Sequence, residues 1–68
     1  IELKQEVFLM LSKIDIKYRE VLILKFLEEK SYREMSDILR KPEGTIATLI
    51  NRAKKEFLKI LEKQYEGK

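Results

Sequence analysis

Apolar residues recur along this chain at three- and four-residue intervals, in four successive stripes that each end where charge or a turn signal interrupts them. Leu3, Val7, Met10 and Leu11, over residues 2–12, and then Ile14 form the first stripe, and Phe8 and Leu9 add apolar area outside it. Asp15 then offers a carboxylate to cap a second helix through IKYREVLILKFLEE. There Tyr18, Val21, Leu22, Ile23, Leu24, Phe26 and Leu27 cover more than half of the circumference, as suits the central helix of a small bundle. Ser31 to Glu34 has the S-x-x-E form of a capping box, which opens a third helix with Tyr32, Met35, Ile38 and Leu39 as its apolar face. That pattern stops at Arg40. Pro42 follows, and its fixed φ and missing N–H suit the first turn of a fourth helix. The turn between the third and fourth helices is therefore only about three residues long, within the range of a helix-turn-helix.

The fourth helix splits into two faces. Ile46, Leu49, Ile50, Ala53 and Phe57 make an apolar stripe that needs burial, and Ile60, Leu61 and Gln64 prolong it while Leu58 falls outside. Ala47, Thr48, Asn51, Arg52 and Lys55 lie opposite. The predicted fold class is all-α: a small four-helix domain containing a helix-turn-helix, without a sheet and with residues 1–68 as one domain. The surplus apolar width of the first helix is expected to wedge it between two neighbours; the alternative is a docking surface for another protein.

Composition narrows the chemistry. With no Cys and no His in 68 residues, the usual metal ligands, thiol nucleophiles and imidazole acid–base groups are missing. No enzyme activity, cofactor, metal or small-molecule substrate is expected. Glu28 and Glu29 are adjacent carboxylates, but neighbours on a helix point about 100° apart and do not make an acid–base dyad. The longest apolar run, VLIL at 21–24, is too short to span a bilayer, and the amino end lacks the layout of a signal peptide. A cytoplasmic chain without a membrane partner is expected. Because it begins with Ile1 rather than Met, it is expected to be a fragment of a longer protein.

Charge then points to a partner. The net charge is +3, yet residues 1–39 carry seven Lys/Arg against eight Asp/Glu, whereas residues 40–68 carry eight against four. The basic excess sits with the fourth helix, which favours an anionic partner there. A tight turn leading into a helix with a mixed polar and basic face is the layout that lays a recognition helix in the major groove of double-stranded DNA. Gly44 and the Ala47 methyl allow close approach, Thr48 and Asn51 can hydrogen-bond base edges, and Arg52 can reach guanine or phosphate. Ser31, Tyr32, Arg33, Lys41, Thr45 and Lys55 are the candidate phosphate contacts. Val7, Phe8, Met10, Leu11 and Leu22 are the candidate protein-docking residues.

REVL at 19–22, SYREM at 31–35, PEGTI at 42–46 and NRAKK at 51–55 resemble, in order and spacing, region 4 of bacterial sigma factors of the extracytoplasmic-function type, over roughly residues 14–61. The resemblance implies a four-helix domain whose last helix reads the minus-thirty-five promoter element, with Ala47, Thr48, Asn51 and Arg52 at the base-reading positions. It also implies docking to the flap of the RNA polymerase β subunit through apolar surface of the earlier helices, and an anti-sigma factor as a further candidate partner. The chain departs from the family's pattern in four places. Ala47 and Leu49 stand where the family often has cations, which implies weaker and less salt-dependent DNA binding. Glu29 and Arg40 stand where it often has Gly; a left-handed conformation there costs each about 1 kcal/mol. Two alternatives share the layout: a LuxR-type response-regulator output domain, and a helix-turn-helix module that binds RNA polymerase or an anti-sigma factor rather than DNA.

Overall fold

All four stripes become helices in the computed structural model, which describes residues 3–66, with side chains described for 5–63. The elements are α1 (Leu3–Leu11), α2 (Ile16–Leu22), a π-helical segment (Ile23–Leu27), α3 (Tyr32–Leu39) and α4 (Glu43–Glu66), with no strand among the described residues. At 1.5 Å per residue the 24 residues of α4 span about 36 Å. They account for most of the 40 Å length of the molecule, and α1, α2 and α3 all pack on this one helix.

The core lies where the stripes meet. Met35, Ile46 and Ala53 have no exposed surface and Val21 and Ile50 have 1% each, while Leu11, Ile14 and Leu22 complete the cluster. Leu39, Leu49 and Phe57 pack against it from the edge. The stripe predicted for α4 is thus the buried one. Leu3 and Gln64, also assigned to stripes, have side chains outside those described.

Local hydrogen bonds set the helix ends. The Asp15 carboxylate accepts from the Lys17 N–H at 3.1 Å and starts α2. Arg19 Nη2 donates to the Ile14 carbonyl at 3.1 Å, which ties α2 back to the preceding turn, although its Nε is buried with no partner. At α3 the capping box is complete: Ser31 Oγ accepts from the Glu34 N–H at 3.1 Å, and Glu34 Oε1 accepts from the Ser31 N–H at 2.8 Å.

Three expectations are corrected. The second helix does not stay α-helical: the Glu28 N–H donates to the Ile23 carbonyl, five residues back, and this wider turn leaves Phe26 52% exposed. Ile38 is also 52% exposed, because α3 is covered along the line of Met35 and Leu39 and Ile38 faces away from it. Phe8 and Leu9 are 51% and 66% exposed, so α1 packs on one side and is not wedged between two neighbours.

Candidate nucleic-acid interface

The turn between α3 and α4 is made by residues 40–42. Arg40 adopts the left-handed conformation, φ 56° and ψ 48°, and the Lys41 N–H donates back to the Ser36 carbonyl at 3.2 Å. Ser36 Oγ donates in turn to the Lys41 carbonyl, so one serine holds both polar backbone groups of Lys41. The Pro42 carbonyl accepts from the Ile46 N–H at 3.0 Å, placing the proline just before the first residue of α4. Glu29, at the exit of the π-helical segment, is likewise left-handed with φ 55°. Both positions where a glycine was expected on the resemblance therefore carry the backbone conformation that glycine tolerates best.

With Ile46, Ile50 and Ala53 turned inward, α4 presents the other side of its first turns to solvent. Gly44, Thr45, Thr48, Asn51, Arg52 and Lys55 are exposed and Ala47 is half-buried. Gly44, Ala47, Thr48 and Asn51 follow at three- and four-residue intervals and share one face. Nothing in the fold requires the glycine: a Cβ there would meet no atom within 4 Å, and its φ is not positive. Thr48 differs from the sequence expectation in one respect, since its hydroxyl donates to the Gly44 carbonyl at 3.1 Å. Leu49, in place of a cation, is half-buried against the core.

Ser31, Tyr32 and Arg33 are exposed at the start of α3, and Lys41 and Thr45 are exposed beside the turn and in the first turn of α4. The amino end of α3 is already occupied by its own carboxylate. The Ser31 backbone N–H first, then its hydroxyl and the nearby Lys30 charge, hold the Glu34 carboxyl below its ordinary pKa. Tyr32 carries Lys25 over its ring, 5.0 Å from the centroid, so a second cation stands at this end of the helix.

The expected docking residues do not stay together. Met10 is 6% exposed and serves the core, and Phe8 is exposed and stands apart from the cleft that the others line. Val7, Leu11 and Leu22 line an apolar cleft of about 360 Å³ with Phe26, Leu27, Phe57 and Leu58. Lys54 sits at its edge with Nζ 5.6 Å from the centre of the Phe26 ring. Phe26 was expected inside the bundle and Leu58 off the α4 stripe, and neither was among the expected docking residues. No periodicity within one helix could have joined them, because they reach one cleft only through the tertiary fold.

Comparison with known proteins agrees with this architecture. Residues 4–57 match the family described as Sigma-70, region 4. The chain is 36% identical over 61 residues to the ECF RNA polymerase sigma factor SigW of Bacillus subtilis (strain 168), an alignment covering 90% of this chain and 33% of that protein. The chain thus spans about a third of the length of the curated relative it matches. No solved structure matches. The match embraces the capping box, the left-handed turn and the two-faced α4, and it favours sigma region 4 over a LuxR-type output domain: the chain belongs to the sigma-70 region 4 family, of the extracytoplasmic-function type.

Proposed function

We propose that this domain reads the minus-thirty-five promoter element by laying α4 in the major groove. The observation that carries the proposal is the division of α4: a stripe sunk in the core fixes the helix, and the exposed face carries a bare glycine, small side chains, an amide and two cations. Gly44 strengthens it. A helical glycine costs about 1 kcal/mol relative to alanine, and no contact within the chain calls for it. Ala47, Thr48, Asn51 and Arg52 face the bases, with the Asn51 amide matched to adenine and the Arg52 guanidinium to guanine or phosphate. Tyr32, Arg33, Lys41, Thr45 and Lys55 hold the backbone on either side, and Ser31, whose N–H and hydroxyl serve Glu34, orients the start of α3 beside them.

The test is anisotropy titration of a duplex bearing the element over a range of salt. Replacing Asn51 and Arg52 together by Ala is expected to weaken binding by roughly tenfold or more, since each lost base contact is worth about 1–3 kcal/mol. Unchanged affinity in the double variant removes α4 as the reading face.

The apolar cleft supports a second part of the proposal, docking to the β-subunit flap of RNA polymerase. Its lining of aliphatic and aromatic side chains with one cation at the rim suits an apolar segment of a partner protein. The exposed Phe8 and Leu9 are the surface on which an anti-sigma factor would bear.

A further inference from the structure

We infer that Thr48 reads a thymine through its γ-methyl group, not through its hydroxyl. The inference rests on the proposal that α4 faces the bases and specifies what one side chain of that face recognises. Thr48 Oγ1 donates its only proton to the Gly44 carbonyl, four residues back, at 3.1 Å. While that bond stands, the hydroxyl cannot donate to N7 or O6 of guanine, to N7 of adenine or to O4 of thymine.

To donate elsewhere, the O–H would have to turn about the Cβ–Oγ1 bond and give up a carbonyl on its own helix. The two remaining substituents on Cβ are a hydrogen and the methyl group. With the oxygen drawn back along the helix, the methyl is the bulk that an approaching base meets. The surroundings match this chemistry. Gly44, one turn earlier on the same face, adds no side chain, and Ala47 beside it contributes another methyl. Asn51, one turn later, is the first group on this line with free donors. The face therefore runs from an apolar, close-approach segment to an amide, which fits a thymine methyl followed by an adenine edge.

Thymine and uracil differ in the groove only by the C5 methyl, so the experiment is a cycle between protein and DNA. A duplex is selected from a random-sequence library with the 68-residue chain, and each thymine of the selected site is replaced singly by uracil. At one position the wild type is expected to bind the uracil form about fourfold more weakly, the worth of one buried methyl. Thr48→Val keeps the methyl and lacks the hydroxyl; it should retain both the affinity and the preference for thymine. Thr48→Ser keeps the hydroxyl and loses the methyl; it should bind both duplexes alike. Circular dichroism of each variant establishes that the helices are intact. A Thr48→Ser chain that still prefers thymine wherever the wild type does, or a folded Thr48→Val chain that loses binding while Thr48→Ser keeps it, overturns the assignment but leaves DNA reading by α4 in place. Failure of the wild type to select any duplex overturns the DNA-reading proposal and the assignment with it.

Discussion

The helix-turn-helix and the apolar cleft of this domain are built in opposite ways. The helix-turn-helix is held by bonds between near neighbours: Ser31 with Glu34, Ser36 with Lys41, Thr48 with Gly44. None of these reaches further than five residues along the chain. The apolar cleft draws Val7, Leu22, Phe26 and Phe57 from α1, α2, the π-helical segment and α4, with Lys54 over Phe26 as a directional contact. Local bonds fix polar groups at a regular helical spacing, which suits the proposed partner, duplex DNA. Tertiary packing leaves an apolar recess whose shape depends on every element around it. The two share only the buried stripe of α4, so each is expected to fail without the other when its own surface is changed.

The largest effect should come from breaking the cleft alone. Leu58 is 53% exposed on the cleft wall, so a carboxylate there remains solvated in the free domain and becomes buried only when a partner enters. Leu58→Glu is expected to weaken capture of an isolated β-flap fragment by roughly tenfold or more, the loss associated with a central interface residue. Duplex binding by the same variant should stay within about twofold, since the new carboxylate stands one turn from Lys55 and an exposed charge pair at that spacing is worth only about 0.2–0.5 kcal/mol. Parallel titrations against flap and duplex measure both. Loss of both activities in a folded Leu58→Glu chain would show that cleft and recognition helix are one unit.

The same contrast explains what could be seen in the sequence. Capping boxes, a proline before a helix and three- and four-residue spacing are local signals, so the four helices, the short turn and the inward stripe of α4 were all legible. So was the strain at Glu29 and Arg40, once their positions were matched to glycines of the family pattern. The cleft was not, because Leu58 looks like an isolated surface leucine until α4 is laid against Phe26. Nor was the π-helical turn, which arises in a run of apolar side chains with no breaker to announce it. Thr48 lies between the two cases. Its residue type suggested a base contact, but the partner of its hydroxyl depends on a rotamer that composition does not reveal.

A middle-sized effect should sharpen the local side of the comparison. Glu29 and Arg40 both sit at positive φ, where a side chain crowds its own carbonyl. Glu29→Gly and Arg40→Gly are each expected to raise the unfolding free energy by about 0.5 kcal/mol, after the extra entropy that glycine loses on folding is counted. Urea denaturation should show a higher midpoint with an unchanged m value. If the Arg40 variant is instead destabilised, the arginine side chain contributes more to the turn than its backbone conformation costs.

The smallest effect concerns acid. Hydrogen bonds from Ser31 depress the Glu34 carboxyl pKa, so the folded chain binds that proton less tightly than the unfolded chain does. The stabilisation it brings is fully present above the unfolded carboxylate value of about 4.3 and is lost as pH falls through the lower folded value. Glu34→Gln keeps a side-chain acceptor for the Ser31 N–H but cannot titrate, which isolates this carboxylate from the other acidic groups. Comparing urea midpoints of the two chains from pH 7 to pH 3, the advantage of the wild type should hold steady down to about pH 5 and shrink below it. A difference that stays constant across the range would mean that the charge of Glu34 adds nothing to its hydrogen bond. The start of α3 would then be held by geometry alone, as the cleft is by packing.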